Sequence, residues 1–348
     1  MGIRARAFAQ FAGQRASAFG VAALGAALLT LAMTACGDTP QSILAPATRQ
    51  ARESNALLGF VFWAALGVFV VVEGVLLFAL WRFRRRRGDA LPRQTHGHAG
   101  LEIAWTIAPA ALIAVVAALT FRSLFALAAP SAADAVRVRA IGHQWWFEFQ
   151  YPDLGFVTAN ELHLPAGRDA AIQLESVDVI HSFWVPQLRG KTDMVPGRVN
   201  QLVFRPEAPG TYLGQCAEFC GGAHAQMKFT VVVEDPAGFD AWVALQKQEA
   251  ALPASAAAQQ GLQLFTTTGG CLACHTVRGT PAQGRIGPDL THVGGRGHIA
   301  AGLMATAPDQ IARWLRDPQG EKPGNKMTIR QLTEDEITAL VAYLMGLK

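Results

Sequence analysis

The chain has 348 residues, room for two or three domains, and is 51% hydrophobic but only 16% charged. An ordinary soluble domain carries about 25% charged residues, so the composition argues against a wholly soluble protein and for a membrane-bound one. The formal charge of +4 rests mostly on a single arginine cluster from Arg82 to Arg87. No nucleic-acid motif accompanies it, and nucleic acid is not an expected partner.

The N-terminus reads as an export signal over residues 1–35. Arg4, Arg6 and Arg15 form a basic leader, Ala18 to Ala32 an apolar stretch, and Met33-Thr34-Ala35-Cys36 resembles a bacterial lipoprotein processing box. Cleavage before Cys36 would leave a lipidated N-terminal cysteine. An ordinary signal peptide, or an uncleaved helix with Cys36 incidental, is the alternative.

Residues 36–130 hold two predicted membrane spans. Ala56 to Trp81 is almost continuously apolar and as a helix would span roughly 39 Å, enough to cross a bilayer with tilt. Its one charge, Glu73, calls for a polar neighbour in the membrane, and a partner subunit is the expected source. Trp81 and the arginines after it place this end in the cytoplasm. The second span runs from Ile103 to about Ala129, with Pro109 near its start. Two crossings put both the N-terminus and everything after Pro130 on the outer, periplasmic side, where c-type haem is attached and thiols are not kept reduced. The expected location is a bacterial inner membrane, with membrane lipid around the spans.

Residues 131–236 change texture to short β-like runs punctuated by Pro and Gly: Val136 to Ile141, Trp145 to Gln150, Asp169 to Ser176, Gln201 to Arg205 and Phe229 to Val233. They predict a β-sandwich or barrel. Within it, Cys216-Ala-Glu-Phe-Cys220-Gly-Gly-Ala-His224-Ala-Gln-Met227 gathers thiolate, imidazole and thioether donors in one loop. Such soft donors suit copper. A mononuclear blue site needs one cysteine; two cysteines four apart can each bridge a pair of copper ions. His224 and Met227 complete the loop's contribution, and His181 is the best source of the remaining ligand. A strained disulfide between the cysteines and a hydrogen-bonded core histidine are the competing readings. His143 and His163 are expected to be structural.

Residues 237–256 read as a helix (Ala237 to Ala250) followed by an Ala/Pro/Ser linker (Ala251 to Ala258), and 257–348 as a helical domain. Its helices are expected at Ala257 to Thr267, Asp309 to Arg316 and Thr333 to Met345, the last opened by a Thr333…Glu336 capping box. Cys271-Leu-Ala-Cys274-His275 reads as covalent c-type haem attachment with His275 on the iron. A zinc half-site would need a second cysteine pair, and none remains. Met327, in a loop before the final helix, is the favoured sixth ligand; Met304, His292 and His298 are the alternatives.

The segments Ser176-Val-Asp-Val-Ile-His181-Ser-Phe183, Lys191-Thr-Asp-Met-Val-Pro-Gly-Arg198 and Gln215-Cys-Ala-Glu-Phe-Cys-Gly221 resemble subunit II of the haem-copper cytochrome c oxidases, over roughly Ala56 to Asp235. The resemblance implies a binuclear copper centre, CuA, on a cupredoxin-like β-sandwich anchored by a two-helix transmembrane hairpin. It carries His181, Cys216, Cys220, His224 and Met227 over as side-chain ligands and Glu218 as a backbone-carbonyl ligand. The Glu218 carboxylate would face a magnesium or manganese ion shared with the catalytic subunit. Trp145, in Gly142-His-Gln-Trp-Trp-Phe147, matches a tryptophan implicated in electron entry or exit and is a candidate for the exit; Glu102 matches a carboxylate at the mouth of a proton channel. Gly287-Pro288-Asp-Leu290 resembles a cytochrome c loop whose proline carbonyl holds the haem histidine.

The whole chain thus resembles a caa-type oxidase subunit II, with a cupredoxin-like sandwich fused to an all-α class I cytochrome c domain. Implied partners are catalytic subunit I, subunit III and a cytochrome c or other periplasmic donor. Electrons would pass from haem c to CuA and on to the subunit that reduces oxygen and pumps protons. The fused haem domain would act as a donor on a flexible linker, at millimolar effective concentration. A CuA-containing nitric oxide reductase subunit and a free-standing copper or electron-transfer protein are the rival readings.

Overall fold

The computed structural model describes residues 39–84, 94, 96–128 and 130–348. The expected export signal, Cys36, and Arg85, Arg86 and Arg87 lie outside the described residues. Residues 43–348 form one compact unit.

Two long apolar helices open the unit: α1 at Arg49–Arg82 and α2 at Ala99–Leu127. At 34 and 29 residues they would reach about 51 and 44 Å, more than the ~30 Å hydrocarbon core requires. The excess in α1 lies at its start, before the apolar run. Thr48 caps it by accepting a hydrogen bond from Ala51 N–H at 3.0 Å, and the Thr48 hydroxyl donates to Leu188 O. Arg52, in the first turn, pairs with Glu207 at 2.8 Å, so the helix runs on out of the apolar zone to the β-domain. Pro109 lies inside α2 without ending it.

The β-domain packs two five-stranded sheets. One has the order β3-β2-β1-β5-β8: Phe156–Ala159, Trp146–Tyr151, Val136–His143, Ala170–Ser176 and Asn200–Phe204. The other has the order β4-β10-β9-β6-β7: Glu161–Pro165, Lys228–Glu234, Gly210–Cys216, His181–Val185 and Arg189–Met194. Pairing is mostly antiparallel, with β1·β5 and β4·β10 parallel. Alternation along β2 turns Phe147, Phe149 and Tyr151 inward, where they meet Phe183, Phe229 and Val231. Removing such a fully buried ring costs about 3–5 kcal/mol, so this core is what holds the copper loop's frame rigid.

The five strand runs expected from sequence are present within a residue or two at each end. Five others, β3, β4, β6, β7 and β9, fall outside the expected runs. β4 alternates polar and apolar residues only over Glu161 to Leu164, a run too short to stand out, and all five of its residues are buried, Glu161 and His163 included; β7 is a polar edge strand.

After α3 (Pro236–Gln246) the chain enters the C-terminal domain through α4 (Ala256–Thr266). The rest comprises α5 (Pro308–Arg316), α6 (Pro318–Glu321), α7 (Glu334–Gly346) and a two-residue ribbon, β11 (His298–Ile299) with β12 (Met304–Ala305). Apart from that ribbon the regular structure of the domain is helical, as expected. The capping box at Thr333 and Glu336 is formed on both sides. The first and last helices cross so closely that a Cβ on Gly261 would stand 2.1 Å from Ala339 O; only glycine fits there.

The stretch expected as a linker is anchored at both ends: just before it Ala250 N–H donates to Arg278 O at 3.0 Å, and within it Ser255 caps α4. Bonds also cross directly between the domains: Lys228 N–H to Ala301 O at 3.0 Å and Gly297 N–H to Glu161 Oε1 at 2.7 Å. Here the C-terminal domain is a docked body rather than a loosely tethered one, because its loops bond to the sandwich.

Candidate metal centre and haem cavity

The copper loop begins where β9 ends. Cys216 closes that strand, Cys220 follows in the loop, a 3-10 turn spans His224–Gln226, and Met227 leads into β10. His181 opens β6, the neighbour of β9. A hairpin thus brings four of the side chains together, and sheet pairing supplies the fifth. Gly142 makes the room: a Cβ there would stand 2.7 Å from the His181 ring.

The distances fit one shared metal site. Cys216 Sγ lies 3.7 Å from Cys220 Sγ, 3.9 Å from His181 Nδ1 and 3.2 Å from Glu218 O. Cys220 Sγ lies 3.5 Å from His224 Nδ1 and 3.8 Å from Met227 Sδ. A disulfide needs about 2.05 Å between sulfurs; at 3.7 Å the pair is two free thiols. His181, Cys216 and Cys220 alone among the described residues form a buried His/Cys/Asp/Glu cluster close enough to hold a metal. A hydrogen bond with the Cys220 thiol, aided by His181, drives Cys216 well toward the thiolate despite burial. The donor set is soft, compact and dry, as a copper pair requires. On the far side of the ring, His181 Nε2 meets Asp178 Oδ1 at 2.8 Å, which orients Nδ1 toward the sulfurs.

Glu218 turns outward. Its carboxylate meets Lys191 Nζ at 3.2 Å, and the same ammonium meets Asp193 at 3.1 Å. Next to it in the chain Phe219 is 76% exposed.

Below the copper loop lies a cavity of about 540 Å³, a size suited to a large cofactor. Cys271, Cys274, His275 and Met327 all line it, with Phe265, Leu290, Ile299, Trp314 and Leu340 supplying apolar walls. His275 Nδ1 donates to Pro288 O at 2.8 Å, which leaves Nε2 as the free acceptor. Burial pushes the ring below the ordinary histidine range, so it is neutral, as an iron ligand must be. Gly287 lets the loop pass: a Cβ would lie 2.7 Å from the His275 ring. The residues fit a covalent haem.

The sixth-ligand alternatives fall in different places. Met304 is 5% exposed on β12 and lines no part of the cavity. His292 is buried, with its ring nitrogens 2.9 and 3.2 Å from Lys348 O and Gln248 O. His298 reaches the cavity but is exposed. Met327 lines the cavity on a loop pinned by its own N–H to Asn325 Oδ1 at 2.8 Å.

Trp145 also lines this cavity, although it belongs to the sandwich. Its indole Nε1 donates to Cys220 O at 2.9 Å, joined there by Gln144 Nε2 at 2.8 Å. Its ring packs against Gly324, on the loop that carries Met327. The indole therefore lies between the copper loop and the haem cavity. Glu102 sits in the first turn of α2, accepting from His98 N–H at 3.1 Å, and takes no part in either redox site. His143 stacks on Trp146, meets Glu148 and also lines the cavity, while His163 stacks on Trp242 between Glu161 and Glu234. Sequence reasoning passed over Asp178, though it lies within the His181 motif, and Lys322, read only as a neighbour of Met327.

The sequence profile of the cytochrome c oxidase subunit II transmembrane domain matches residues 41–123, that of its periplasmic domain residues 154–235, and that of cytochrome c residues 258–348. Cytochrome c oxidase subunit 2 of Alkalihalophilus pseudofirmus is 36% identical over 330 residues, covering 92% of this chain and 95% of that protein. The subunit 2 of Bacillus sp. strain PS3 is 37% identical over 344 residues, with the same two coverages. The crystal structure of the periplasmic domain of subunit II from Bradyrhizobium japonicum aligns at 31% identity and a TM-score of 0.33, covering 34% of this chain and 96% of that one. Two apolar helices, a copper-type sandwich and a haem-binding domain on one chain, matched along nearly their full length by these relatives, make it a member of the cytochrome c oxidase subunit II family with a fused cytochrome c domain.

Proposed function

We propose that this chain is the electron-input arm of its oxidase, and that the wall shared by its two sites is the path between them. Loaded with haem c and a copper pair, it would take electrons from a cytochrome c or similar donor at the haem, pass them to copper, and deliver them to the oxygen-reducing catalytic subunit. The observation that carries this reading is Trp145, bonded to Cys220 O and facing the haem cavity at once.

Cys216, Cys220, His181, His224, Met227 and the Glu218 carbonyl would hold the copper pair; Cys271 and Cys274 would anchor the haem, with His275 and Met327 as the residues to ligate its iron. The aromatic core beneath the loop excludes water and fixes the ligand directions, so little rearrangement accompanies a change of charge. Delivery runs through the exposed part of the copper loop, where Phe219 lies beside Glu218 in the chain. An exposed aromatic side chain beside a redox centre fits a subunit interface. Glu218 offers hard oxygen ligands suited to magnesium or manganese, completed by the catalytic subunit, with Lys191 neutralising it in the free chain. Glu102, at the expected cytoplasmic end of α2, is assigned to the mouth of a proton channel. Subunit III, lipid contacts, a bacterial inner-membrane location and lipidation of Cys36 belong to the same proposal.

The oxidase reading is favoured over the nitric oxide reductase and free-carrier alternatives because the relatives that span this chain are cytochrome c oxidase subunits. Purifying the membrane complex, identifying its subunits and comparing oxygen with nitric oxide turnover tests it. Nitric oxide turnover without oxygen turnover would refute it.

A further inference from the structure

One buried ammonium joins the haem cavity to the copper loop. Lys322 follows α6, is 3% exposed, and lines the cavity. Its Nζ lies 2.8 Å from Trp145 O, 3.0 Å from Gln226 O and 3.2 Å from Ala300 O. An ammonium has three N–H donors, and here each meets a carbonyl; no carboxylate is among its hydrogen-bond partners.

The three acceptors are spread across both sites. Trp145 is the residue whose indole holds Cys220 O, Gln226 precedes Met227, and Ala300 belongs to the haem domain. Lys322 itself stands five residues before Met327 on the same loop. The receiving loop is strained: Ala300 and Ala301 have φ of 53° and 62°, each costing roughly 1–2 kcal/mol for a residue with a Cβ. The strain presents Ala300 O to Lys322 and Ala301 O to Lys228 N–H of the sandwich.

A purely mechanical clasp would be cheaper if apolar, since a buried charge without a counter-ion costs several kcal/mol. That burial lowers the ammonium to about 7. Costly charge and strained backbone converge on the one wall between the redox sites, which a generic interdomain contact does not explain. We propose that Lys322 is a positioning residue for electron transfer between haem c and the copper pair, fixing the Met327 loop against the copper loop and placing a positive charge between the two centres. This rests on the functional reading above.

The test uses the intact oxidase complex carrying Lys322→Met or Lys322→Gln, with haem content and the copper resonance spectrum checked first. Both variants should load, transfer from haem c to copper should slow by about tenfold or more, and the haem c midpoint potential at pH 6 should fall below wild type, as loss of a nearby positive charge requires. A merely structural lysine would lower thermal stability and leave rate and potential alone. Wild-type rate and potential in both variants overturn the proposal; absence of haem-to-copper transfer in the wild type overturns the functional reading and the proposal together. Should neither variant fold, acetylation of the wild-type complex decides: Lys322 should be protected relative to exposed Lys247, and equal labelling of the two sinks the idea.

Discussion

The copper loop and the haem cavity are built in opposite ways. Four of the copper side chains come from residues 216–227, and rigid sheet pairing adds His181. The haem site instead separates its axial candidates, His275 and Met327, by most of a helical domain, and borrows part of its wall from the neighbouring sandwich. A site written into one loop survives changes elsewhere, whereas a site assembled across a domain boundary depends on docking. Local substitutions should therefore act all-or-none on copper, and graded effects should appear at the shared wall.

The largest effect is expected at the copper loop. Cys216→Ser should abolish the mixed-valence binuclear resonance entirely, while Cys36→Ser leaves it intact; a single isolated copper signal in the wild type would break the comparison at its root. Next comes the axial methionine. Met327→Ala should lose the methionine-to-iron charge-transfer band with the haem still attached, and Met304→Ala should keep it, because only Met327 reaches the cavity. The opposite pattern would show that the cavity wall has been misassigned.

The shared wall should give a graded answer. Trp145→Ala is expected to leave both metals loaded and slow haem-to-copper transfer by about ten- to a hundred-fold, the scale of small displacements at reacting centres. If it slows only delivery to the catalytic subunit, the indole belongs at the exit after all.

The smallest effect concerns docking and pH. Burial disfavours charge on His163, but hydrogen bonds to Glu161 and Glu234 outweigh it and raise the ring above its ordinary value. A raised folded value means that its stabilisation is complete below the unfolded value of about 6.5 and is lost as pH rises through the folded one. Glu161 also holds Gly297 of the haem domain. Melting between pH 6 and pH 8 should thus show a loss in the wild type, a few degrees at most, that His163→Gln lacks; parallel pH curves would remove His163 from the docking account.

What sequence could show followed from how local each feature is. Both metal motifs, both membrane spans and the capping box depend on spacing along the chain, and all were legible. Strand β4 was not, since its alternation covers only Glu161 to Leu164 and the burial of Glu161 and His163 is a tertiary outcome. Nor could spacing place Trp145, because its indole is defined by two contacts distant in sequence, Cys220 O and the Gly324 loop. Lys322 stayed hidden for the same reason. Its three acceptors lie on three separate segments, and a lone lysine in a loop ordinarily signifies solvent.

The central claim is that electrons cross from haem c to copper inside this chain. Rapid mixing of the oxidised complex with its donor, followed at the haem c band and the copper band together, addresses it most directly. Haem c should be reduced first, with copper following at a rate independent of donor concentration. Copper reduced ahead of haem c, at a rate that rises with donor concentration, would contradict it.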